Sequence, residues 1–329
     1  METELKKPDI DLSNVGWKKA FSIAVRMVVS ALILYSIVSL IQWQNVLLAF
    51  QSADRRFILM AVFLLVFNLS VRTLKWHTML RSVKESPTFT EAFGSVMLGI
   101  SLGSFTPGEL GDFAGRALHI TDAKRSHLVG LTLLDKLQIF VVTSCAGGVS
   151  LTCLAFDNPY LCTFLSIVIL LLSGVFMMRL EIIATLGQRL NTSFLKRPWL
   201  SRVLDGCQLL TPRQLLSTAL YTLLFHGVLI LQMYCLLNAF STISFLHAFI
   251  GTSAMMFVKS LLPISIGDLG VREAGSIYFF SLYSISQAAA LNASLMLFFI
   301  NIFVPSLMGT YFIRHQQLSS FKFIQLWKK

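Results

Sequence analysis

Apolar positions along the chain fall into long runs separated by short polar stretches. Six runs, at about 21–41, 57–76, 128–156, 160–178, 214–238 and 288–313, reach the roughly 20 residues that a membrane-crossing helix needs. Two further pairs of runs are shorter and interrupted: 91–105 with 109–119, and 246–262 with 268–286, each broken at Pro107 or Pro263. Proline removes a backbone donor and crowds the preceding turn, so each pair predicts two half-helices rather than one helix. The expected fold class is an all-α polytopic membrane protein, with about six full transmembrane helices plus two broken re-entrant hairpins forming an inverted repeat.

Composition agrees with this pattern. Hydrophobic residues make up 55% of the 329 positions and charged residues only 13%, and the mean hydropathy is +0.71, outside the range of soluble globular domains. No polar stretch is long enough to fold as a separate soluble domain, the longest candidate being about 179–213. The apolar run at 21–41 follows Lys6, Lys7, Lys18 and Lys19, but it is too long for a signal-peptide core and lacks a small-residue cleavage site. It reads as the first membrane helix. Five cysteines form no CxxC pair, and all but Cys207 lie in apolar runs, so they are expected to be packing residues rather than metal ligands or a disulfide.

Basic residues set the expected orientation. They cluster before the first run, after the second (Lys75, Arg81, Lys84), before the third (Lys124, Arg125), between the fourth and fifth (six, from Arg179 to Arg213), and at the end (Arg314, Lys322, Lys328, Lys329). Cytoplasmic loops carry the excess of Lys and Arg, which assigns both termini to the cytoplasmic side of a multi-pass inner membrane protein. The linkers 156–160 and 239–247 contain no Lys or Arg, and Arg55 and Arg56 are the exceptions. The first broken pair then enters and leaves from the cytoplasm and the second from outside. The expected organisation is a cytoplasmic segment 1–20, one transmembrane domain 21–314 with repeats at about 57–156 and 214–313, and an amphipathic cytoplasmic tail 315–329. The net charge of +11 sits mostly in these flanks, where anionic lipid headgroups explain it, so nucleic acid is not an expected partner.

One motif occurs twice. Ala92, Phe93, Ser104, Pro107, Gly111, Asp112 and Arg116 recur 156 positions later as Ala248, Phe249, Ser260, Pro263, Gly267, Asp268 and Arg272. Repeated, broken apolar segments mark many transporters, whose site lies where the repeats meet.

Charged residues within the apolar runs are costly and are functional candidates by default. They concentrate in the two hairpins (Glu109, Asp112 and Arg116; Lys259, Asp268, Arg272 and Glu273) and at Asp135 and Lys136 on the third run. Asp112 and Arg116 stand four apart, as do Asp268 and Arg272, so on a helix each pair shares a face and can form an ion pair. A guanidinium with five donors can hold a carboxylate and still offer a fork to a phosphate. Pro107, Gly111, Pro263, Gly267 and Gly270 are expected to shape the turns. His226 reads as a hydrogen-bonded core residue ahead of a proton relay. No HExxH, GxSxG, P-loop or dinucleotide fingerprint is present. Neither a cofactor nor a metal is implied.

The two stretches PGELGDFAGRA, from Pro107, and PISIGDLGVREAG, from Pro263, resemble the signatures of the lysylphosphatidylglycerol synthase transmembrane region family, also called flippase-like domain proteins. The likeness runs from about residue 20 to 314 and implies a lipid-translocating membrane domain, without the soluble aminoacyl-transferase domain of the family's best-known members. Glu109, Asp112, Asp268 and the Asp135–Lys136 pair depart from the family's usual residues and make the site more acidic. The resemblance implies translocation of a phospholipid or polyprenyl lipid between leaflets, by a transporter rather than an enzyme. Two alternatives stay open: an integral-membrane transferase on a polyprenyl-phosphate or phospholipid, and a scaffold of a lipid-synthesis complex. A lipid-synthesis enzyme and a second copy of the chain are the protein partners compatible with these readings.

Overall fold

The computed structural model describes residues 43–104, 106, 108–262 and 269–315. The expected first span at 21–41, the segments 1–20 and 316–329, and the motif residues Pro107, Pro263, Gly267 and Asp268 lie outside the described residues.

Among the described residues every regular element is helical. The order is α1 (Trp43–Gln51), α2 (Arg55–Leu80), α3 (Phe89–Ser104), α4 (Leu110–His119), α5 (Arg125–Ala155), α6 (Pro159–Met178), α7 (Glu181–Leu190), a π segment (Asn191–Leu195) and α8 (Pro198–Gly206). It continues with α9 (Pro212–Phe240), α10 (Phe245–Leu261), α11 (Val271–Ser281), α12 (Gln287–Phe298), a second π segment (Phe299–Phe303) and α13 (Val304–His315). Five stretches are long and apolar enough to cross a membrane: Arg55–Leu80, Arg125–Ala155, Pro159–Met178, Pro212–Phe240 and Gln287–Phe312. Their bounds follow local chemistry. Asn158 accepts from Tyr160 and Leu161 ahead of Pro159 at the first position of α6, and Thr211 and Gln214 form a reciprocal capping box ahead of α9, each satisfying donors that a helix start leaves free.

Two elements depart from the sequence reading. The run expected to continue to 286 stops at Ser281. Ser284 takes a left-handed φ of 60°, while Ile285 N–H donates to Phe280 O (3.2 Å) and Ser284 N–H to Ser281 O (3.1 Å), a Schellman-type stop with serine in the position glycine usually holds. The last span is interrupted by the π segment 299–303, because Pro305 lacks the N–H that would otherwise close onto Asn301 O. Within the polar stretch 179–213, α7 and α8 fold, and α8 docks on α5 where Gly206 meets His127 and Gly130 backbone.

α6 carries its apolar side chains outward, with Phe164, Ile167, Leu170, Leu171, Leu172 and Val175 all exposed. So long an apolar face is tolerated by lipid and not by water. The buried core has two main centres. One surrounds Met233, Leu236, Met255, Phe280 and Ala289; the other surrounds Trp76, Met79, Met97, Leu128 and Leu131.

The packing exchanges between the two halves of the chain. α2 lies along α9, α5 packs on α10, and α13 packs on α3. At the second contact a Cβ on Gly147 would run into Ser253 O and Phe257 Cβ; at the third, one on Gly309 would run into Met97 O and Ser101 Cβ. Ser253 and Phe257 stand 156 positions after Met97 and Ser101. The last long helix of each half therefore seats a glycine on equivalent positions of the other half's first hairpin helix.

Candidate functional site

α3 and α4 form an antiparallel hairpin held by close backbone approach. A Cβ on Gly111 would overlap Leu102 O, and one on Gly99 would overlap the Asp112 carboxylate, so these glycines make the room in which Asp112 sits. The turn between them carries left-handed φ values at Gly108 (60°) and Glu109 (55°). Gly111 N–H donates to Thr106 Oγ1 at 2.6 Å, which starts α4. The outer ends of the hairpin meet at Lys84, whose ammonium contacts Glu91 at the start of α3 (2.6 Å) and Asp122 beyond α4 (3.3 Å).

Inside this frame the charges interlock. Asp112 takes a two-pronged pair from Arg116, at 2.7 Å from Nε and 3.0 Å from Nη2. Arg116 Nη1 reaches Asp135 on α5 at 2.9 Å, and Lys75 on α2 takes the other Asp135 oxygen at 2.5 Å. Lys136 bridges Asp112, at 2.7 Å, and Glu109. Asp112, Arg116 and Asp135 are buried, and the Arg116 guanidinium lies 4.8 Å over the Trp76 ring. Lys75, counted from sequence as a cytoplasmic flank charge, is instead buried in this cluster.

The second motif copy is built differently. Arg272 is buried against Glu273, with Nη2 at 2.7 Å, and shares Ser294 with it. Glu273 also accepts from Gly270 N–H at 2.6 Å, capping α11 with a carboxylate where the helix dipole favours one. Asp268, the partner expected from the four-residue spacing, is outside the described residues; the neighbour Glu273 takes Arg272. Lys259 stands in the last turn of α10, and its charge is felt at Glu109 on the other hairpin.

The structure thus gathers Glu109, Asp112, Arg116, Asp135 and Lys136 in one cluster and holds Arg272 with Glu273 in another. Both motif arginines are held by carboxylates, Arg116 by Asp112 and Asp135 and Arg272 by Glu273. Two residues not singled out from the sequence line the same region. Arg72 on α2 borders a cleft with Lys75, Arg116, Asp135, Thr222 and Phe225. It also borders a second cleft with Glu109, Asp112 and Asn301. The polar stripe Asn68, Arg72, Lys75, at four- and three-residue steps on an otherwise apolar span, was the available signal. Asn301 sits at the centre of the second π segment and donates to Gln232 Oε1 at 3.0 Å; Gln232 in turn donates to Ala61 O at 3.1 Å. His226 is buried with its Nε2 unpartnered among the described residues, not fully hydrogen-bonded as expected.

Comparison with known proteins adds to this geometry. A UPF0104 membrane protein of Pyrococcus horikoshii is 22% identical, covering 78% of this chain and 86% of the relative. The family model of the lysylphosphatidylglycerol synthase TM region matches residues 23–309. With both motif hairpins and all five long apolar stretches inside or overlapping that match, the chain belongs to the lysylphosphatidylglycerol synthase transmembrane-region family.

Proposed function

We propose that the protein moves a phospholipid or polyprenyl lipid between the leaflets of the cytoplasmic membrane. The observation that carries this reading is the combination of exchanged packing between two halves with a dense charged cluster at one hairpin turn, in a chain otherwise fit for lipid. Half-helix turns bearing charge at a repeat interface are where secondary transporters hold their substrates, and charges this deep are retained for pathways rather than stability.

In this reading the α3–α4 hairpin is re-entrant from the cytoplasmic side, α10–α11 is re-entrant from the outside, and both termini are cytoplasmic. Arg116 and Arg272 fasten their hairpins to α5 and α12, and Glu109, Lys136 and Lys259 present charge to a headgroup. Movement is passive or ion-coupled, since no nucleotide-binding motif supplies another energy source. The test is transbilayer movement of labelled phosphatidylglycerol, phosphatidylethanolamine and a polyprenyl phosphate in liposomes holding the purified protein. Movement above protein-free liposomes, reduced by Lys136→Gln, is expected. Absence of movement for all three lipids overturns the reading.

A further inference from the structure

The cluster at the first hairpin has four cations, Arg72, Lys75, Arg116 and Lys136, and three carboxylates, Glu109, Asp112 and Asp135. The three carboxylates are taken by Lys75, Arg116 and Lys136. Among the described residues Arg72 makes no hydrogen bond or ion pair, and its guanidinium lies over the Phe225 ring, 5.6 Å from the centroid. A half-buried guanidinium in a membrane domain, resting on an aromatic face with its donors unused, is a costly arrangement for packing alone. Its planar fork is shaped to grip a phosphate with two parallel hydrogen bonds.

A second, independent orphan lies in the same place. Asn301 is nine-tenths buried and lines the cleft that Arg72, Glu109 and Asp112 border. Its amide nitrogen is used on Gln232, and its Oδ1 has no partner. Buried acceptors are seldom left unpaired, and those that are point to an absent donor. The π segment that displays Asn301 is itself a feature found often at functional sites. One cleft therefore offers an unpaired cation and an unpaired acceptor, with two carboxylates nearby.

We propose that this cleft binds a phosphodiester headgroup, with the phosphate on Arg72 and a hydroxyl or ammonium of the headgroup donating to Asn301 Oδ1. A phosphodiester keeps two unesterified oxygens, which is what the planar fork of Arg72 can take in parallel. The inference rests on the lipid-translocation reading for its biological meaning, but the binding site is testable apart from it.

The experiment is thermal unfolding of the purified protein in detergent, with dioctanoyl-phosphatidylglycerol, dioctanoylglycerol and inorganic phosphate as separate additions. The diester lipid is expected to raise the midpoint of the wild type, and dioctanoylglycerol to leave it unchanged. Arg72→Gln is expected to lose the response and to unfold, without lipid, no earlier than the wild type; Arg72→Lys keeps a weakened response and Asn301→Leu a weakened one. Equal protection by the diester and by dioctanoylglycerol, or an undiminished response in Arg72→Gln, overturns the site. So does early unfolding of Arg72→Gln without lipid, which makes Arg72 a packing residue. Protection by inorganic phosphate and not by the diester assigns the cleft to a free anion and overturns the lipid source. Diester protection in a protein that moves no lipid in liposomes keeps the site and removes the translocation reading; movement that survives Arg72→Gln does the reverse.

Discussion

Arg116 on α4 and Asp135 on α5 face each other at 2.9 Å in a buried ion pair that ties the first hairpin to a long apolar helix. Asp135 also holds Lys75 from α2, so one carboxylate joins three helices. Removing one partner from a buried pair leaves an uncompensated charge, which costs about 3–5 kcal/mol. Asp135→Asn leaves both Lys75 and Arg116 short of charge and is expected to destabilise the protein by about that amount, read as the unfolding free energy in mixed micelles. A loss below about 1 kcal/mol, the range of solvent-exposed pairs, would show that water reaches the cluster and that the lock does not exist.

The glycine contacts give a prediction about symmetry. Gly147 and Gly309 are seated on positions of the two hairpins that are equivalent by the 156-residue repeat, so Val at either should force apart an equivalent contact between the two halves. Overpacking a tight contact costs typically about 1–3 kcal/mol, and Gly147→Val and Gly309→Val are expected to lower stability by similar amounts. Gly174 and Gly227, which have nothing within 4 Å of an added Cβ, serve as controls, and Val there is expected to be tolerated. If the two contact variants differed by more than the controls differ from wild type, the two halves would not share one packing solution.

Cys153 and Cys162, expected to be packing residues, are free thiols whose sulfurs lie 2.9 Å apart across the turn between α5 and α6. A short helical hairpin brings these residues, nine apart, together without any CxxC spacing. Mild oxidation with copper phenanthroline and oxygen should draw two electrons and two protons from this pair and join it. The five free cysteines should fall to three on thiol titration of the denatured protein, with no change in mass on a non-reducing gel beyond a monomer. Five thiols persisting, or Cys153→Ser leaving the loss unchanged, would rule the pairing out.

What the sequence made legible was the part governed by local rules. The expected spans at 57–76, 128–156, 160–178 and 214–238 fall on α2, α5, α6 and α9 within a few residues, because a run of apolar residues of bilayer length permits little besides a helix. The half-helices at 91–105, 109–119 and 246–262 fall on α3, α4 and α10. The four-residue step from Asp112 to Arg116 was realised as a two-pronged pair. What could not be read was which charge neutralises which across helices. Lys75 and Arg72 lie three positions apart on α2, yet one pairs with Asp135 and the other with nothing described; that depends on how α2 is rotated against α5, which no local spacing encodes. The π segment was legible in principle from Pro305, but its consequence for Asn301 needed the neighbouring Gln232.

The second hairpin offers a final test of how buried charge is held. Glu273 accepts from Gly270 N–H, from Arg272 and from Ser294, so it caps a helix and neutralises an arginine at once. Ser294 touches the same pair but carries no charge. Glu273→Gln removes the ion pair and weakens the cap, and is expected to cost about 3–5 kcal/mol; Ser294→Ala removes one hydrogen bond accepted from Arg272 and one donated to Glu273, both with charged partners, and should cost about 1.5–3 kcal/mol. The double variant should fall short of the sum, since both side chains act on the one guanidinium and contacting residues are not additive. Full additivity in the unfolding free energies would mean that Ser294 and Glu273 act on separate parts of the hairpin, and that Arg272 is held by something other than this pair.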